Sequence, residues 1–344
     1  MKSKIFLLTL IVLGIASFSS CQSQKPVSSH MSFAFYNLEN LFDTIDDPNI
    51  NDESYLPDAE NPWNSERYQH KLDQLSKVMS DIDPTGFPSL FGLCEVENKT
   101  VVKQLINHNN LKKAQYQIIH KDSPDERGID VALLYQPKDF KPIFKQFIHV
   151  TIPENPGNKT RDILYAKGIT PKNDTLHVFI NHWVSRYGGQ EATEPSRIFI
   201  ASLIKHVTDS IMQVNPNANI LISGDLNDNP TDVSVSQYMQ AKEVVTAPEK
   251  TSLYNLSLTL YKEGVGSLYY KSWDMFDQII VSSAMLTGSG GIKVSSEKQT
   301  VIKHDYLLFQ PKKGEARPNR TASGKKYYGG FSDHLPVFIN LQLK

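Results

Sequence analysis

The sequence predicts an α/β (α+β) fold built on mixed β-sheets. Apolar runs of strand length recur along the whole chain, and helical patterns separate only some of them. Several strands therefore follow one another directly, which argues against strict β-α-β alternation. Hydrophobic residues make up 40% of the chain and charged residues 21%, as in ordinary globular proteins. This composition excludes a disordered, collagen-like or coiled-coil chain.

The predicted strands are short apolar runs bounded by polar or turn-forming residues. In chain order they cover residues 33–36, 90–94, 131–135, 176–180, 220–222, 278–281 and 337–341.

Three amphipathic helices are predicted from apolar residues at helical spacing. The first has its apolar face at positions 72, 75, 78, 79 and 82, and Pro84 ends it. The second follows Glu97 and carries apolar residues from 101 to 106. The third is longer and spans apolar positions from 198 to 211.

Two further segments have the composition of loops. Residues 43–63 are acidic and rich in Asn and Pro, and residues 310–328 hold six basic residues against one acid, Glu315. No linker after residue 30 is long enough to divide domains, so residues 31–344 are predicted to form one domain. A chain of this size needs no disulfide framework, and Cys94, within an apolar run, is expected to be a buried thiol.

The first 20 residues are predicted to be an export signal. Lys2 and Lys4 precede an apolar run at 5–18 that is shorter than the ~20 residues of a spanning helix. Small residues before Cys21 resemble the lipobox of bacterial lipoproteins, although Phe18 stands where Leu is more usual. The resemblance implies cleavage before Cys21, a lipid on its sulfur, a tether over 21–30, and anchoring to a bacterial membrane facing the periplasm or exterior. Plain secretion, with Cys21 incidental, is the alternative.

The charge balance bears on possible partners. The chain has 36 Lys and Arg against 37 Asp and Glu, and loss of Lys2 and Lys4 with the signal gives a net charge of −3. Tight binding to DNA through overall positive charge is therefore excluded, whereas the basic loop 310–328 could still favour an anionic substrate.

Polar side chains cluster where the predicted strands begin or end. Such residues follow or precede six of the apolar runs: Asn37, Glu39 and Asn40; Glu95, Glu97 and Asn98; Asn181 and His182; Asp225, Asn227 and Asp228; Asp277; and Asp333 with His334. Six sets of oxygen and imidazole groups suggest strand ends converging on one cleft. Carboxylates and amides favour Mg²⁺ or Mn²⁺ over zinc, and Mg²⁺ held in this way is typical of phosphate chemistry.

In sequence order these motifs read Tyr-Asn-Leu-Glu-Asn, Glu-Val-Glu-Asn, Asn-His-Trp, Gly-Asp-Leu-Asn-Asp, Phe-Asp-Gln-Ile and Ser-Asp-His-Leu-Pro-Val. The set resembles the endonuclease/exonuclease/phosphatase superfamily over residues 32–343. The resemblance implies a four-layer, deoxyribonuclease I-like sandwich of two facing mixed sheets flanked by helices, with the site at one edge.

The resemblance also implies roles for individual residues. Glu95 matches the principal metal carboxylate, Asp333 a second metal or water-orienting carboxylate, and Asn37 the amide beside the metal. Asp225 and Asn227 match the pair that positions the attacking water. His334 matches a histidine oriented by an acid, here Asp277, and His182 matches a phosphate contact or leaving-group acid.

Two assignments stay open from the sequence. In the nuclease branch the histidine matched by His182 has an acidic partner, and Asp130 lies one position away from that acid. Arg127, Arg186 and Arg197 are candidates for phosphate clamps, with surface arginine as the alternative.

The expected activity is Mg²⁺-dependent or Mn²⁺-dependent hydrolysis of phosphodiester bonds by an endonuclease-like enzyme using activated water. The substrate would be a phosphate ester, possibly a nucleic acid, and the chain would be a monomer. Phosphomonoesterase and phospholipid phosphodiesterase activities would use the same site and remain alternatives. A non-catalytic binding module would have lost some of the matched residues, and none is lost.

Overall fold

The computed structural model describes residues 28–153, 156–157 and 159–344. The export signal expected at 1–20 and the lipidation of Cys21 lie outside the described residues. Among those described, no helix combines the length and apolar character needed to cross a membrane.

The strands of the described chain are β1 (His30–Leu41), β2 (Leu90–Val96), β3 (Gln117–His120), β4 (Asp130–Tyr135), β5 (Lys141–Ile148), β6 (Ile163–Ile169), β7 (Thr175–His182), β8 (Asn219–Asp225), β9 (Ala241–Glu243), β10 (Leu253–Asn255), β11 (Leu268–Tyr270), β12 (Ser272–Asp274), β13 (Asp277–Ser282), β14 (Ile292–Val294), β15 (Thr300–Val301), β16 (Leu308–Phe309), β17 (Arg317–Pro318), β18 (Ala322–Ser323), β19 (Lys326–Tyr327) and β20 (Val337–Leu343). The seven strands predicted from the sequence lie within β1, β2, β4, β7, β8, β13 and β20.

The α-helices are α1 (Ser65–Asp81), α2 (Lys99–Ile106), α3 (Gln190–Val214), α4 (Leu258–Lys262) and α5 (Ser283–Thr287). The first three confirm the helices predicted from apolar spacing. Asn64 and Asn98 begin α1 and α2, and the side chain of each accepts a backbone N–H in the first turn.

Two large mixed sheets form the body of the domain, as predicted. The first has the order β14-β20-β1-β2-β4-β3, with β15 beside β20, and the second has the order β5-β6-β7-β8-β13-β10-β9. The pairs β1–β2, β7–β8 and β9–β10 are parallel, and the other neighbouring strands run antiparallel.

Three apolar clusters show how the layers stack. Side chains alternate along β1, so Phe33 and Phe35 join the cluster between the sheets while Ala34 and Tyr36 join the cluster beneath α1 and α2. A third cluster packs α3 against the outer face of the second sheet. Cys94 is a buried free thiol of the cluster between the sheets, as expected.

The expected loop segments differ in one respect from the prediction. Residues 43–63 hold only a short 3-10 turn at Glu53–Tyr55, but residues 310–328 contain β17, β18 and β19. These two-residue ladders are too short to produce a recognisable alternation in the sequence. They form ribbons beside the edge at which the polar residues collect.

Candidate active site

Strand register places three of the predicted residues side by side. His182 of β7 is opposite Asp225 of β8, and Asp225 is opposite Asp277 of β13. Each occupies the same face as the residues two positions away, Ile180, Ser223 and Ile279. The face that forms the core between the sheets therefore becomes polar at its edge, where the three strands meet the surface.

A backbone irregularity turns Glu95 toward this edge. The β1–β2 ladder shifts register between Asn37 and Leu41, and the β2–β4 ladder shifts between Cys94 and Val96. Glu95 has a left-handed backbone with φ of 58°. Bulges of this kind re-aim side chains, and left-handed non-glycine residues are strained and cluster at functional sites. The Glu95 Oε2 atom accepts the backbone N–H of Asn40 at 2.9 Å.

The amide of Asn37 joins the two sheets within the site. Its Nδ2 donates to Glu95 Oε1 at 3.2 Å and to Asp225 Oδ2 at 3.0 Å. Its Oδ1 accepts the backbone N–H of Glu39 at 2.9 Å, which fixes the orientation of the amide. The Asn37 oxygen accepts this one N–H, and the expectation that Asn37 lies beside a metal stays a prediction. The residue holds two carboxylates together.

Glu95, His182 and Asp225 form a group that fits a divalent cation. One ligand atom from each lies within 4.8 Å of the others. His182 Nε2 is 3.8 Å from Glu95 Oε1 and 3.7 Å from Asp225 Oδ2, too far for hydrogen bonds but suited to ligands facing one ion. The two carboxylates suit Mg²⁺ or Mn²⁺ in charge and hardness, whereas the imidazole is a ligand more typical of softer divalent metals. Asp333 is not in this group, and its role in metal binding stays a prediction.

The expected pair of His334 and Asp277 is present. His334 Nδ1 lies 2.7 Å from Asp277 Oδ2, and His334 Nε2 lies 3.7 Å from Asp225 Oδ2. Burial opposes a charged ring, but Asp277 and Asp225 outweigh it and raise the pKa of His334 well above its usual value. His334 is thus an imidazolium whose free N–H faces the centre of the site.

His182 has the opposite character. Burial, together with the charges of Arg161, Arg127 and His334, lowers the pKa of His182 well below its usual value. Its Nδ1 is buried and has no hydrogen-bond partner among the described residues. The ring is therefore neutral and can act as a ligand or a proton acceptor.

The suggested partnership of His182 with Asp130 is wrong. Asp130 Oδ2 lies 3.1 Å from Nε2 of His120, and its Oδ1 accepts the backbone N–H of Ser123 at 2.7 Å. His120 and Asp130 face each other across adjacent strands β3 and β4, where the His120–Ala132 register brings them together. Spacing along the chain contains no information about this local pair.

Asp225 is the centre of the site. Burial raises its pKa to about 6, while His334 acts in the opposite direction. Its Oδ1 accepts the backbone N–H of Asn227 at 3.0 Å. Asn227 has a left-handed backbone with φ of 50°, and its Nδ2 donates one hydrogen to the carbonyl oxygen of Trp183 at 3.1 Å. The second amide hydrogen remains available as a donor.

Two of the three expected phosphate clamps are contradicted by the structure. Arg197 is fully buried, and its Nε forms an ion pair with Asp228 Oδ2 at 2.8 Å. Arg186 bonds the carboxylates of Asp228 and Asp232 through Nη2 and the carbonyl of Asn227 through Nε at 2.8 Å. All the nitrogens of both guanidinium groups have protein partners, the remaining ones on α3 and the loop before it. These arginines stabilise the Asp228 turn and cannot bind phosphate without breaking it.

Arg127 fits its expected role better. Its side chain is 52% exposed, and its nearest carboxylate, Asp125, lies 3.6 Å away. Its charge contributes to the lowered pKa of His182. Phosphate binding by Arg127 stays a prediction.

A charged network that reaches from buried Glu39 and Lys71 to the partly exposed Arg320 holds Asp333 and was not predicted from the sequence. Arg320 Nη2 donates to Asp333 Oδ2 at 2.9 Å, and Arg320 Nε lies 3.4 Å from Glu39 Oε1. Glu39 also accepts the backbone N–H of Thr321 at 2.6 Å. Beneath them the buried ammonium of Lys71 donates to the carbonyl of Phe331 at 2.7 Å. The position of Glu39 in Tyr-Asn-Leu-Glu-Asn was a usable signal, whereas nothing in the sequence marked Lys71.

Two serines also escaped the sequence reasoning. Ser267 Oγ donates to Asp277 Oδ2 at 2.6 Å and accepts the N–H of Asp277 at 3.1 Å. Ser332 Oγ donates to the carbonyl of Asn37 at 2.8 Å and accepts the N–H of His334 at 3.1 Å. Ser332 lies within the motif Ser-Asp-His-Leu-Pro-Val, whereas Ser267 carries no local signal because its partner is ten residues away.

The site therefore combines a group suited to a divalent cation, a charged imidazole and a neutral imidazole around one buried carboxylate. A cation and an imidazolium can stabilise negative charge on an oxyanion, and neutral imidazole or carboxylate can accept a proton. These groups are the ones that hydrolysis of an ester with a strongly anionic transition state requires.

Solved structures of similar fold include a humanized D. rerio TDP2, at 14% identity and a TM-score of 0.55, covering 91% of this chain and 99% of that one. Two others are from Bacteroides thetaiotaomicron. An endonuclease/exonuclease/phosphatase family protein has 15% identity and a TM-score of 0.55, covering 92% of this chain and 98% of that one. A mannosyl-6-phosphatase has 16% identity and a TM-score of 0.55, covering 90% of this chain and 99% of that one. No curated protein matches the chain. The sequence profile of the endonuclease/exonuclease/phosphatase family matches residues 32–343. The chain therefore belongs to the endonuclease/exonuclease/phosphatase family, whose members hydrolyse phosphoester bonds and generally depend on a divalent metal.

Proposed function

We propose that the chain hydrolyses phosphodiester bonds in an endonuclease-like manner with Mg²⁺ or Mn²⁺. The observation that carries the proposal is the grouping of Glu95, His182 and Asp225 opposite the charged pair of His334 and Asp277. It supplies both a cation site and an acid in one cleft. A binding module would have no reason to retain this arrangement of buried, mutually repelling carboxylates.

The residues of the chain divide the work as follows. A divalent cation held by Glu95, His182 and Asp225 would withdraw charge from the phosphoryl oxygens. Asp225 accepts a hydrogen bond from the attacking water, and the free amide hydrogen of Asn227 holds a phosphoryl oxygen. His334, charged and oriented by Asp277, donates through Nε2 to the oxygen on which negative charge develops.

A test of this proposal compares two chromogenic esters. Protein stripped with EDTA is assayed on bis(p-nitrophenyl) phosphate and p-nitrophenyl phosphate, with Mg²⁺, Mn²⁺ or no metal. We expect metal-dependent turnover that is faster on the diester. Turnover of the monoester alone would replace the proposal by a phosphomonoesterase. Absence of turnover on both esters with every metal would contradict hydrolysis altogether.

The natural substrate class is addressed by a second panel. Plasmid DNA, single-stranded oligonucleotide and dispersed phospholipid are offered under the conditions that support diester turnover. Cleavage of internal nucleic-acid linkages supports the endonuclease-like proposal. Cleavage of phospholipid with intact nucleic acid would contradict it and would favour a phospholipid phosphodiesterase.

We propose in addition that the chain is exported and anchored by a lipid on Cys21. The support is the sequence alone: a positive start, a short apolar run and small residues before the cysteine. Expression in a bacterium fed an alkyne-tagged fatty acid should label the wild-type protein and leave Cys21→Ser unlabelled. Equal labelling of the two proteins would contradict the anchor.

A further inference from the structure

A second concave surface adjoins the proposed catalytic centre and takes no part in the hydrolysis proposed for it. It is a cleft of about 640 Å³ between the three short ribbons β11–β12, β16–β17 and β18–β19. We call it the ribbon cleft. Asp333 forms part of its wall, and β11 continues from a bridge between Leu268 and His334. A ligand in the ribbon cleft would therefore run directly into the site at His334.

Three aromatic side chains line the ribbon cleft with unusual exposure. Tyr270 is 71% exposed, Tyr328 51% and Phe309 46%. One comes from β11, one from β16 and one from the end of the β18–β19 ribbon. A single exposed aromatic side chain is common on protein surfaces, but three in one concave surface indicate a ligand-binding groove.

Each of these rings carries its own cation. Lys271 Nζ lies 5.5 Å from the ring centre of Tyr270, Arg317 Cζ lies 5.3 Å from that of Phe309, and Lys326 Nζ lies 4.9 Å from that of Tyr328. Arg320 adds a fourth basic group, and Asp333, with which it pairs, is the one acid in the lining. The ribbon cleft therefore combines three exposed rings with a positive charge beside each of them.

We propose that the ribbon cleft binds a single-stranded polynucleotide and presents its phosphodiester backbone to the site at His334. Bases stack on Tyr270, Phe309 and Tyr328, while Lys271, Arg317 and Lys326 pair with phosphates. A ring and a cation side by side suit the base and the phosphate of one nucleotide in an unpaired strand, and stacking is tolerant of sequence. A lipid surface also attracts aromatic and basic residues, but it is met by a protruding surface and not by a cleft. The inference rests on the proposed hydrolysis of phosphodiesters for its catalytic consequence.

Binding is measured without catalysis. The full chain in EDTA is titrated against a fluorescein-labelled oligothymidylate and against an abasic strand of the same length, using fluorescence anisotropy. Tyr270→Ala and Phe309→Ala should each weaken binding of the oligothymidylate at least fivefold and should affect the abasic strand little, because it has phosphates but no rings. Lys271→Gln should weaken both strands and reduce the salt dependence of binding. Tyr238→Ala, at a tyrosine 44% exposed beside α3, is the matched control and should change neither.

Hydrolysis of bis(p-nitrophenyl) phosphate separates this inference from the proposed function. The Tyr270 and Phe309 variants should retain wild-type turnover of this small ester, because neither residue touches the site. If the wild type hydrolyses the ester and both variants keep wild-type affinity for the oligonucleotide, the proposed role of the ribbon cleft is wrong and the proposed function stands. If the wild type binds the oligonucleotide, both variants bind it more weakly and no protein hydrolyses any ester, the proposed function is wrong and the binding role of the ribbon cleft stands. Weakened binding to phosphatidylglycerol vesicles with unchanged oligonucleotide affinity would also overturn the proposal.

Discussion

The two histidines of the site lie at the same distance from Asp225 and yet differ in charge. Both Nε2 atoms are 3.7 Å from Asp225 Oδ2. His334 gains a proton because Asp277 bonds its other nitrogen, whereas His182 loses it because burial and two arginines oppose a charge. Distance to the central carboxylate therefore does not decide protonation, and the groups behind each ring do. Pushing two titrating groups apart in this way provides a proton donor, His334, and a neutral ring that can ligate a cation, His182, in one site.

The largest expected effect comes from the carboxylate that both histidines face. Asp225→Asn keeps the shape of the side chain but removes a charge that holds water and cation. We expect kcat on bis(p-nitrophenyl) phosphate to fall by about a thousandfold or more. Asp209→Asn, on the surface of α3, is the matched control. A fall of less than tenfold in the folded Asp225 variant would remove Asp225 from the mechanism.

The next effect tests the charge on His334 by removing its cause. Because the pKa of His334 is raised, the ring is protonated at neutral pH, and activity that needs the proton falls as pH rises through that pKa. Asp277→Asn lowers the pKa, so the loss should begin at lower pH. We expect kcat at pH 8 to fall by about 10- to 100-fold, with a smaller loss at pH 6. A uniform reduction at all pH values would mean that Asp277 only supports the fold.

The contrast predicts a different result for the neutral histidine. His182→Asn should lower metal affinity by about 10- to 100-fold or more, because the loss of an outer-shell partner of a ligand already costs that much. The alkaline limb of the pH profile should not move, because His182 is already neutral across the range. Isothermal titration with Mn²⁺ and the pH profile are the readouts, and exposed His206→Asn is the control. An alkaline limb that shifts in the variant would contradict a neutral His182.

A smaller effect is expected one step further from the reacting groups. Ser267→Ala removes the hydroxyl that bonds Asp277. The free energy of unfolding should fall by about 1 kcal/mol in urea titrations, and kcat should fall a few-fold. Ser210→Ala, at the exposed end of α3, should change neither quantity. An unchanged free energy of unfolding would show that Asp277 does not need this partner.

Much of the molecule is predictable from the sequence, for a physical reason. Long strands such as β1, β7 and β8 are recognisable as nearly continuous apolar runs, and the residue that continues the inward face past the core is polar. That pattern suggests that polar strand ends, those with Asn37, His182 and Asp225 among them, converge on one cleft.

The features that the sequence does not predict depend on tertiary contacts that apolar runs do not encode. Asp130 pairs with His120, and Arg197 is buried against Asp228. Each of these residues has several possible partners, and only the tertiary structure determines which one it contacts. The orientation of the Asn37 amide depends on one backbone N–H. The ribbon cleft is built from two- and three-residue ladders, which leave no periodic signal.

The most direct measurement of a catalytic cation is the rate of bis(p-nitrophenyl) phosphate hydrolysis as a function of Mn²⁺ concentration, for wild type and Glu95→Gln. Glu249→Gln, at an exposed ion pair with Lys242, is the control. We predict saturable dependence on the metal in the wild type and the control. In Glu95→Gln we predict that the Mn²⁺ concentration for half-maximal rate rises at least a hundredfold, or that turnover is lost. Metal-independent turnover, or an unchanged response in Glu95→Gln, would contradict a catalytic cation held at Glu95.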